Sequence, residues 1–390
     1  MLINLRNALM TGKRLPYDAE VEYLESTGTQ WIDTGVVASQ NIKIEARFYR
    51  ANSPSQFAYG VRSGSTTISC ATGVGTSVAT VGYARWGNSA YAAAIPNTEV
   101  VVVQDKDGVT VNGVHYNYTA AESVVPQSGY TIALFAAKNS ATTVAANLSG
   151  KFWYCKIWQN GVLVRDYIPV RKGNVGYLYD RVSGKLFGNA GTGDFVLGSD
   201  VVPVEWLEGD GNSYIDLGIK PSNQYLEIEA EQRNSGTANV GLISAGNSSP
   251  RLEFYNWGPR LEAWIGTYGT QSVFATTIGS RISIKATGRN LTFKNISSGA
   301  KVSATYTFTG QTQQTAALFC IHRESSSYAY IGKWKLFKAY VDSLKCLPVR
   351  VGSGSTWEGA LLDTVTRRIY RNAGTGAFTY GNDLPYPIPA

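Results

Sequence analysis

The stretch Tyr23-Leu24-Glu25-Ser26-Thr27-Gly28-Thr29-Gln30-Trp31-Ile32-Asp33-Thr34-Gly35 is written twice in this chain. Its second copy is Trp206-Leu207-Glu208-Gly209-Asp210-Gly211-Asn212-Ser213-Tyr214-Ile215-Asp216-Leu217-Gly218. Leu, Glu, the central Gly, the Ile-Asp pair and the closing Gly coincide, and an aromatic precedes each Leu and each Ile. A second motif is repeated too: Asn189-Ala190-Gly191-Thr192-Gly193-Asp194-Phe195 returns as Asn372-Ala373-Gly374-Thr375-Gly376-Ala377-Phe378. The interval between copies is far longer than the roughly 20–50 residues of a solenoid repeat. It is the length of a domain, so the chain is a domain duplicated in tandem. The best-matched motifs lie at the two ends of each copy, which predicts that the first and last strands of each domain are neighbours in space.

Between those ends the signals are those of short strands. Ile42-Lys43-Ile44-Glu45-Ala46-Arg47-Phe48 alternates, and Leu226-Glu227-Ile228-Glu229-Ala230-Glu231 matches it after a one-residue insertion. Alternation puts one set of side chains on a core face and the other on the opposite face. Asn112-Gly113 and Asn160-Gly161 are two-residue hairpin signals, because both central positions of a type I′ turn need positive φ. Charged residues are 16 % of the 390-residue chain, against roughly 25 % in an average soluble protein. With 41 Gly, 24 Tyr and 9 Trp, the balance is that of tight turns and aromatic-rich pleated surfaces. The expected fold class is all-β: two tandem antiparallel sandwiches over residues 18–200 and 204–384. An N-terminal segment, residues 1–17, and a Pro-rich tail, residues 385–390, flank them. Leu2, Leu5 and Leu9 could share one face of a two-turn helix, read either as an anchor docking into a larger assembly or as a tail on the first domain.

Several partners and chemistries are disfavoured. A net charge of +7 with no Lys/Arg run longer than two gives no concentrated footprint for nucleic acid. No apolar run approaches the roughly 18 residues of a membrane helix, and Arg6 interrupts any secretory signal early. Cys70, Cys155, Cys320 and Cys346 occupy non-equivalent places in the two copies, so they read as free thiols without zinc spacing. No cofactor and no metal is expected. Calcium takes six to eight oxygens, and Asp33 and Asp216 lack acidic neighbours in sequence; they read as strand-end residues capping the turn that the following Gly allows. His115 and His322, the only histidines, are not equivalent, and neither has a nucleophile in a recognisable turn. Glu25 and Glu208 are duplicated, and Glu227, Glu229 and Glu231 share a strand face, the nearest approach to paired hydrolytic carboxylates; the first copy offers only Glu45 there. An exposed acidic strand face is the expectation. The glycines at 191 and 193 precede no helix and lack a P-loop Lys, so a tight loop is expected rather than a phosphate site.

The opening "YLESTGTQWIDTG", the middle "WYCKIWQNGVLVRDYIPV" and the closing "GYLYDRVSGKLFGNAGTGDF" together resemble a concanavalin A-like (laminin-G-like, jelly-roll) module, as found in bacteriophage structural proteins and surface proteins of gut bacteria. The resemblance implies a two-sheet sandwich that recognises carbohydrates or other surface ligands through its concave sheet or edge loops. The second copy departs from the pattern, being shorter in the middle and lacking the Asn-Gly turn, so a binding role of that turn would be confined to the first copy.

Sugars present apolar C–H faces that stack on aromatic rings. The candidate carbohydrate contacts are therefore aromatics in the Gly- and Ser-rich stretches where the copies diverge, read as loops: Tyr83, Trp86 and Tyr91 in the first copy, and Tyr255, Trp257, Trp264 and Tyr268 in the second. Trp31, Tyr214, Trp153, Trp158 and Trp334 belong to the shared framework and are assigned to packing. The functional expectation is a non-catalytic virion surface or adsorption protein, a phage tail, fibre or capsid-associated component. It would bind host-surface glycan, join other virion proteins through its N-terminal segment, and form a homo-oligomer. The alternatives are a decoration protein without ligand, a place on a bacterial cell surface and, third, a glycan hydrolase.

Overall fold

The computed structural model describes residues 15–388, apart from 52–55, 64–66, 75–80, 88–89, 97, 125–129, 223–224, 235–238, 247–249, 271 and 325–326. The chain divides into two compact units, Met1–Asp200 and Val201–Ala390. Among the described residues every regular element is a strand, and each unit is a sandwich of two sheets. The helix expected around Leu2, Leu5 and Leu9 lies outside the described residues.

In the first unit one sheet runs Val114–Tyr116, Gly108–Val111, Val100–Asp105, Ile42–Arg50, Ser149–Gln159. Leu24–Thr27 and Val162–Lys172 then pair with successive parts of the long Ser149–Gln159 strand. The facing sheet runs Ile32–Val37, Thr131–Leu134, Phe57–Ser63, Thr67–Val74, Val81–Trp86, Ala90–Pro96. These pairings are antiparallel, with a parallel contact at Val61 and Lys138. Alternation is realised in Ile42–Arg50, where Ile42, Ile44, Ala46 and Phe48 are buried and Lys43 and Glu45 are half-buried. Phe48 meets Tyr59 of the other sheet at 6.4 Å, edge to face.

The second unit repeats the plan. One sheet runs Lys301–Thr305, Asn290–Asn295, Arg281–Thr287, Tyr225–Gln232, Trp334–Val341. Leu207–Gly209 and Leu344–Ser353 both pair with that last strand. The facing sheet runs Ile215–Asp216, Ala317–Leu318, Val240–Ser244, Leu252–Trp257, Arg260–Ile265, Tyr268–Thr270. Phe254 and Phe293 join the layers at 5.8 Å. The tail packs on its own unit: the Tyr386 hydroxyl donates to Val201 O at 2.8 Å, and Ile388 is buried among Val201, Val349 and Val351.

The repeated motifs are the seams of each sandwich. Leu24–Thr27 pairs with Val196–Leu197, and Leu207–Gly209 with Phe378–Tyr380, so opening and closing strands are neighbours as expected. The side chain of Asn189 accepts the Trp31 N–H, and Asn372 accepts that of Tyr214, at 3.1 and 3.2 Å. The glycine-spaced loop is thereby a clamp on the opening strand. The Asn-Gly turns take the left-handed geometry their sequence predicts, with φ 49° and 86° at Asn112 and Gly113 and 51° and 77° at Asn160 and Gly161. In the second copy Asp342, at φ 53°, rebuilds the shortened hairpin.

Candidate functional site

The aromatics singled out in the divergent stretches lie on strands of the second sheet, not in loops. Trp86 ends the Val81–Trp86 strand with its side chain turned inward; it is 0 % exposed, so it is a core residue and not a ligand contact. Tyr255 is 5 % exposed, with its hydroxyl committed to Glu262 at 2.6 Å. Tyr268 packs against the core and lies 6.1 Å from Phe293. Trp264 is half-buried under the Arg251 guanidinium, 4.3 Å from its ring centre. Only Trp257, 43 % exposed and edge-on to Tyr255 at 6.4 Å, keeps an open face among the described candidates. Tyr83 and Tyr91 lie on the Val81–Trp86 and Ala90–Pro96 strands, and their side chains fall outside those described. Period-2 alternation accounts for the correction: a Gly- and Ser-rich segment that forms a strand still sends every second side chain to the core.

The concavity lies elsewhere, at one end of the first sandwich. Three connections meet there: the segment before Ile42–Arg50, the Lys106–Asp107 turn after Val100–Asp105, and the Asn160–Gly161 turn. Gln40, Asn41, Ile42, Lys43, Asp105, Lys106, Asp107, Asn160 and Gly161 line a space of about 420 Å³. Asn160 N–H donates to Asn41 O at 3.0 Å, and the Asn41 amide donates to the Asn160 side-chain oxygen at 3.1 Å. Gln40 accepts the Val124 N–H at 2.6 Å. Asp105 accepts the Asp107 N–H at 2.9 Å, and Lys106 pairs with Asp107 at 2.6 Å. Lys43 rests its ammonium 5.0 Å from the centre of the half-buried Trp158 ring. Planar amides and carboxylates are groups that engage vicinal hydroxyls.

The matching end of the second sandwich carries different residues. Asp342 N–H donates to Tyr225 O at 2.9 Å, as Asn160 does to Asn41 O. Tyr225 thus stands where the first copy has Asn41, and Glu227 where it has Lys43. Glu227 is ion-paired with Lys338, accepts from the Tyr225 hydroxyl at 3.0 Å, and has Lys285 at 3.8 Å. On the inner side of this end Pro221, Tyr225, Leu226, Leu252, Ile265 and Phe308 surround a separate space of about 10 Å³.

The duplicated carboxylates have structural partners. Asp33 accepts the Gly35 N–H at 2.9 Å, and Asp216 that of Gly218 at 2.8 Å, the turn caps expected of them. Asp33 is further bound by the Thr131 hydroxyl and the Lys138 ammonium. Burial works against its charge, but Lys138, Thr131 and the Gly35 N–H outweigh it and hold the carboxyl below the usual range. At Asp216 the partners are Thr315 at 2.9 Å and Tyr328 at 2.6 Å. His322 occupies the position of Lys138, stacks on Tyr328 at 4.3 Å, and meets Thr315 O through Nδ1 at 2.9 Å. Glu229 pairs with Arg281 at 2.6 Å and Glu231 with Arg233 at 3.0 Å, so the acidic strand face is a neutralised one. Glu25 lies 3.7 Å from Lys151, and Glu208 3.2 Å from Arg233. His115 is exposed on its hairpin strand. Cys155, Cys320 and Cys346 are free and buried; Cys70 is on a strand, and its side chain falls outside those described. Among the described residues no three of His, Cys, Asp and Glu come together as a metal-holding set.

No family model and no curated protein matches this sequence. Among solved structures the chain is similar to mouse laminin alpha1 chain, domains LG4-5, at 10 % identity and a TM-score of 0.28, over 96 % of this chain and 97 % of that one. It is also similar to the LG1-3 region of the laminin alpha2 chain, at 8 % identity and a TM-score of 0.29, over 93 % of this chain and 68 % of that one. Likeness at this level carries no argument about fold or ligand. The paired sheets and their shared cores establish the sandwich.

Proposed function

We propose that the protein is a non-catalytic carbohydrate-binding component of a virion surface, carried on a phage tail, fibre or capsid, that holds host-surface glycan through its first sandwich. The observation that carries the binding half is the 420 Å³ concavity lined by Gln40, Asn41, Lys43, Asp105 and Asn160. A shallow site of this kind binds weakly alone and gains through many copies on one particle. The resemblance to a module found in bacteriophage structural proteins supports the virion half, and the N-terminal segment would join the protein to its particle and to further copies of itself. The carboxylates that a hydrolase would use are committed to Lys and Arg partners, which supports a binding role.

A glycan array probed with the full chain tests the reading. We expect retention on at least one host polysaccharide, and at least a roughly tenfold weakening in the Asn41→Ala, Asp105→Ala double variant, since two hydrogen-bonding groups at about 1 kcal/mol each are removed. Absence of retention under multivalent display contradicts it. Reducing-end release from a polysaccharide, abolished by Glu229→Gln, would instead establish a hydrolase. A decoration protein without ligand is the second reading, favoured by the burial of Trp86 and Tyr255.

A further inference from the structure

We infer that the second sandwich holds bound water between its two sheets at one end, bridging the side chains of Gln232, Asn256, Thr276 and Trp334. This internal site is independent of any saccharide at the first sandwich.

The four side chains come from elements that meet at that end. Gln232 closes the Tyr225–Gln232 strand and stands beside Trp334 in register, both facing the core. Asn256 lies on the opposite sheet between Val240 and Leu261, two members of the core, so it points inward as well. Thr276 begins the crossover that joins this sheet to the Arg281–Thr287 strand of the other. Its N–H donates at 2.7 Å to Pro259 O, in the turn that follows the Asn256 strand. At the other end of the crossover, Gln232 N–H donates to Ser280 O at 3.0 Å. The crossover is kept short by Ser280 N–H donating to Thr277 O at 2.9 Å, so the two amides reach the same end from opposite sheets. A Cβ added at Gly332 would lie 2.8 Å from both Trp334 Nε1 and Gly241 O. The indole N–H is thereby set beside the strand pair that carries Asn256.

Gln232, Asn256 and Trp334 are 0 % exposed and Thr276 1 %. Both polar atoms of each amide, the Thr276 hydroxyl and the Trp334 indole N–H are buried without a hydrogen-bond partner among protein groups. Buried polar groups in folded proteins are almost always bonded, to protein or to ordered water. Facing sheets pack about 10 Å apart, and a Gln and an Asn reaching inward from opposite sides span most of that distance. The interval left suits water, which makes about three hydrogen bonds when buried. Complete burial excludes a larger guest. The chemistry selects water over an ion too: the amide and indole N–H groups donate, the amide oxygens accept, and the hydroxyl does both. The charged neighbours Glu231 and Arg281 alternate to the opposite face, where they pair with Arg233 and Glu229.

Magnetic resonance on the full chain tests the inference. The assigned Trp334 indole N–H and the Gln232 and Asn256 side-chain amides are expected to show cross-relaxation with long-lived water. Oxygen-17 relaxation dispersion of the solvent should lose the amplitude of at least one such water in the Gln232→Leu, Asn256→Leu double variant. The first readout uses the unmodified chain, so a variant that fails to fold leaves the test intact. Absence of cross-relaxation at all three groups, or an undiminished dispersion in the folded variant, overturns the inference. So does a crystal structure in which the two amides bond directly to each other.

Discussion

Asp33 carries two obligations, capping the Gly35 turn and neutralising Lys138, whose side chain is 4 % exposed. Its folded carboxyl lies below the usual range, so the stability it contributes is complete above the unfolded value of about 3.9 and is lost as pH falls through the lower folded value. Asp33→Asn leaves a buried ammonium beside a neutral amide. Because the carboxyl itself is partly exposed, we expect a cost of about 2 kcal/mol at pH 7, below that of breaking a fully buried pair. Urea titrations of both proteins from pH 7 to pH 2 check this: the gap between them should be constant above about pH 5 and shrink in acid. A gap that widens in acid contradicts the assignment. The same site shows how duplicated residues diverge around a fixed anchor. The turn cap at Asp216 is retained, while His322 replaces the lysine and Tyr328 supplies the hydrogen bond.

At the scale of the element, the loop from Asn189 to Phe195 and its copy work by close approach of backbone to backbone. A Cβ added at Gly191 would lie 2.0 Å from Thr29 O, and at Gly374 2.1 Å from Asn212 O. Either alanine must push the opening strand away, and we expect about 2–3 kcal/mol of destabilisation from each, read as a lowered denaturant midpoint. Gly161→Ala is the contrast. Its Cβ meets open space, and only the left-handed φ of 77° is strained, so about 1 kcal/mol is expected. These elements were legible in the sequence because turn chemistry and alternation are local: Asn160-Gly161, Ile32-Asp33 and Ile42 to Phe48 each state their conformation within a few residues. Trp86 and Tyr255 were misread for a related reason. Low complexity around them suggested loops, whereas strand pairing with distant segments decided which way they face. Phe135 and Phe319 show what no local rule supplies. These buried rings sit at φ 63° and 68°, a conformation that costs about 1–2 kcal/mol. Each is held by backbone hydrogen bonds on both sides, Phe135 to Ala58 and Leu148 and Phe319 to Leu242 and Gly332.

For the whole molecule, duplication has produced two scaffolds of one design, and the first carries a polar concavity at one end. That end was not legible in the sequence, because Gln40–Lys43, Asp105–Asp107 and Asn160–Gly161 are far apart along the chain. They are also residue types that any hairpin end uses. Only the folded sheets bring them to one rim, and the second copy has Tyr225 and Glu227 where the first has Asn41 and Lys43. The central claim is that saccharide binds there. Hydrogen exchange of the full chain, with and without the tightest-binding oligosaccharide, tests it most directly. We predict slowed exchange confined to the backbone around residues 39–43, 105–107 and 160–161, with the strands carrying Trp257 and Trp264 unchanged. Protection centred on Trp257 and Trp264, with none at the first-copy rim, would contradict it.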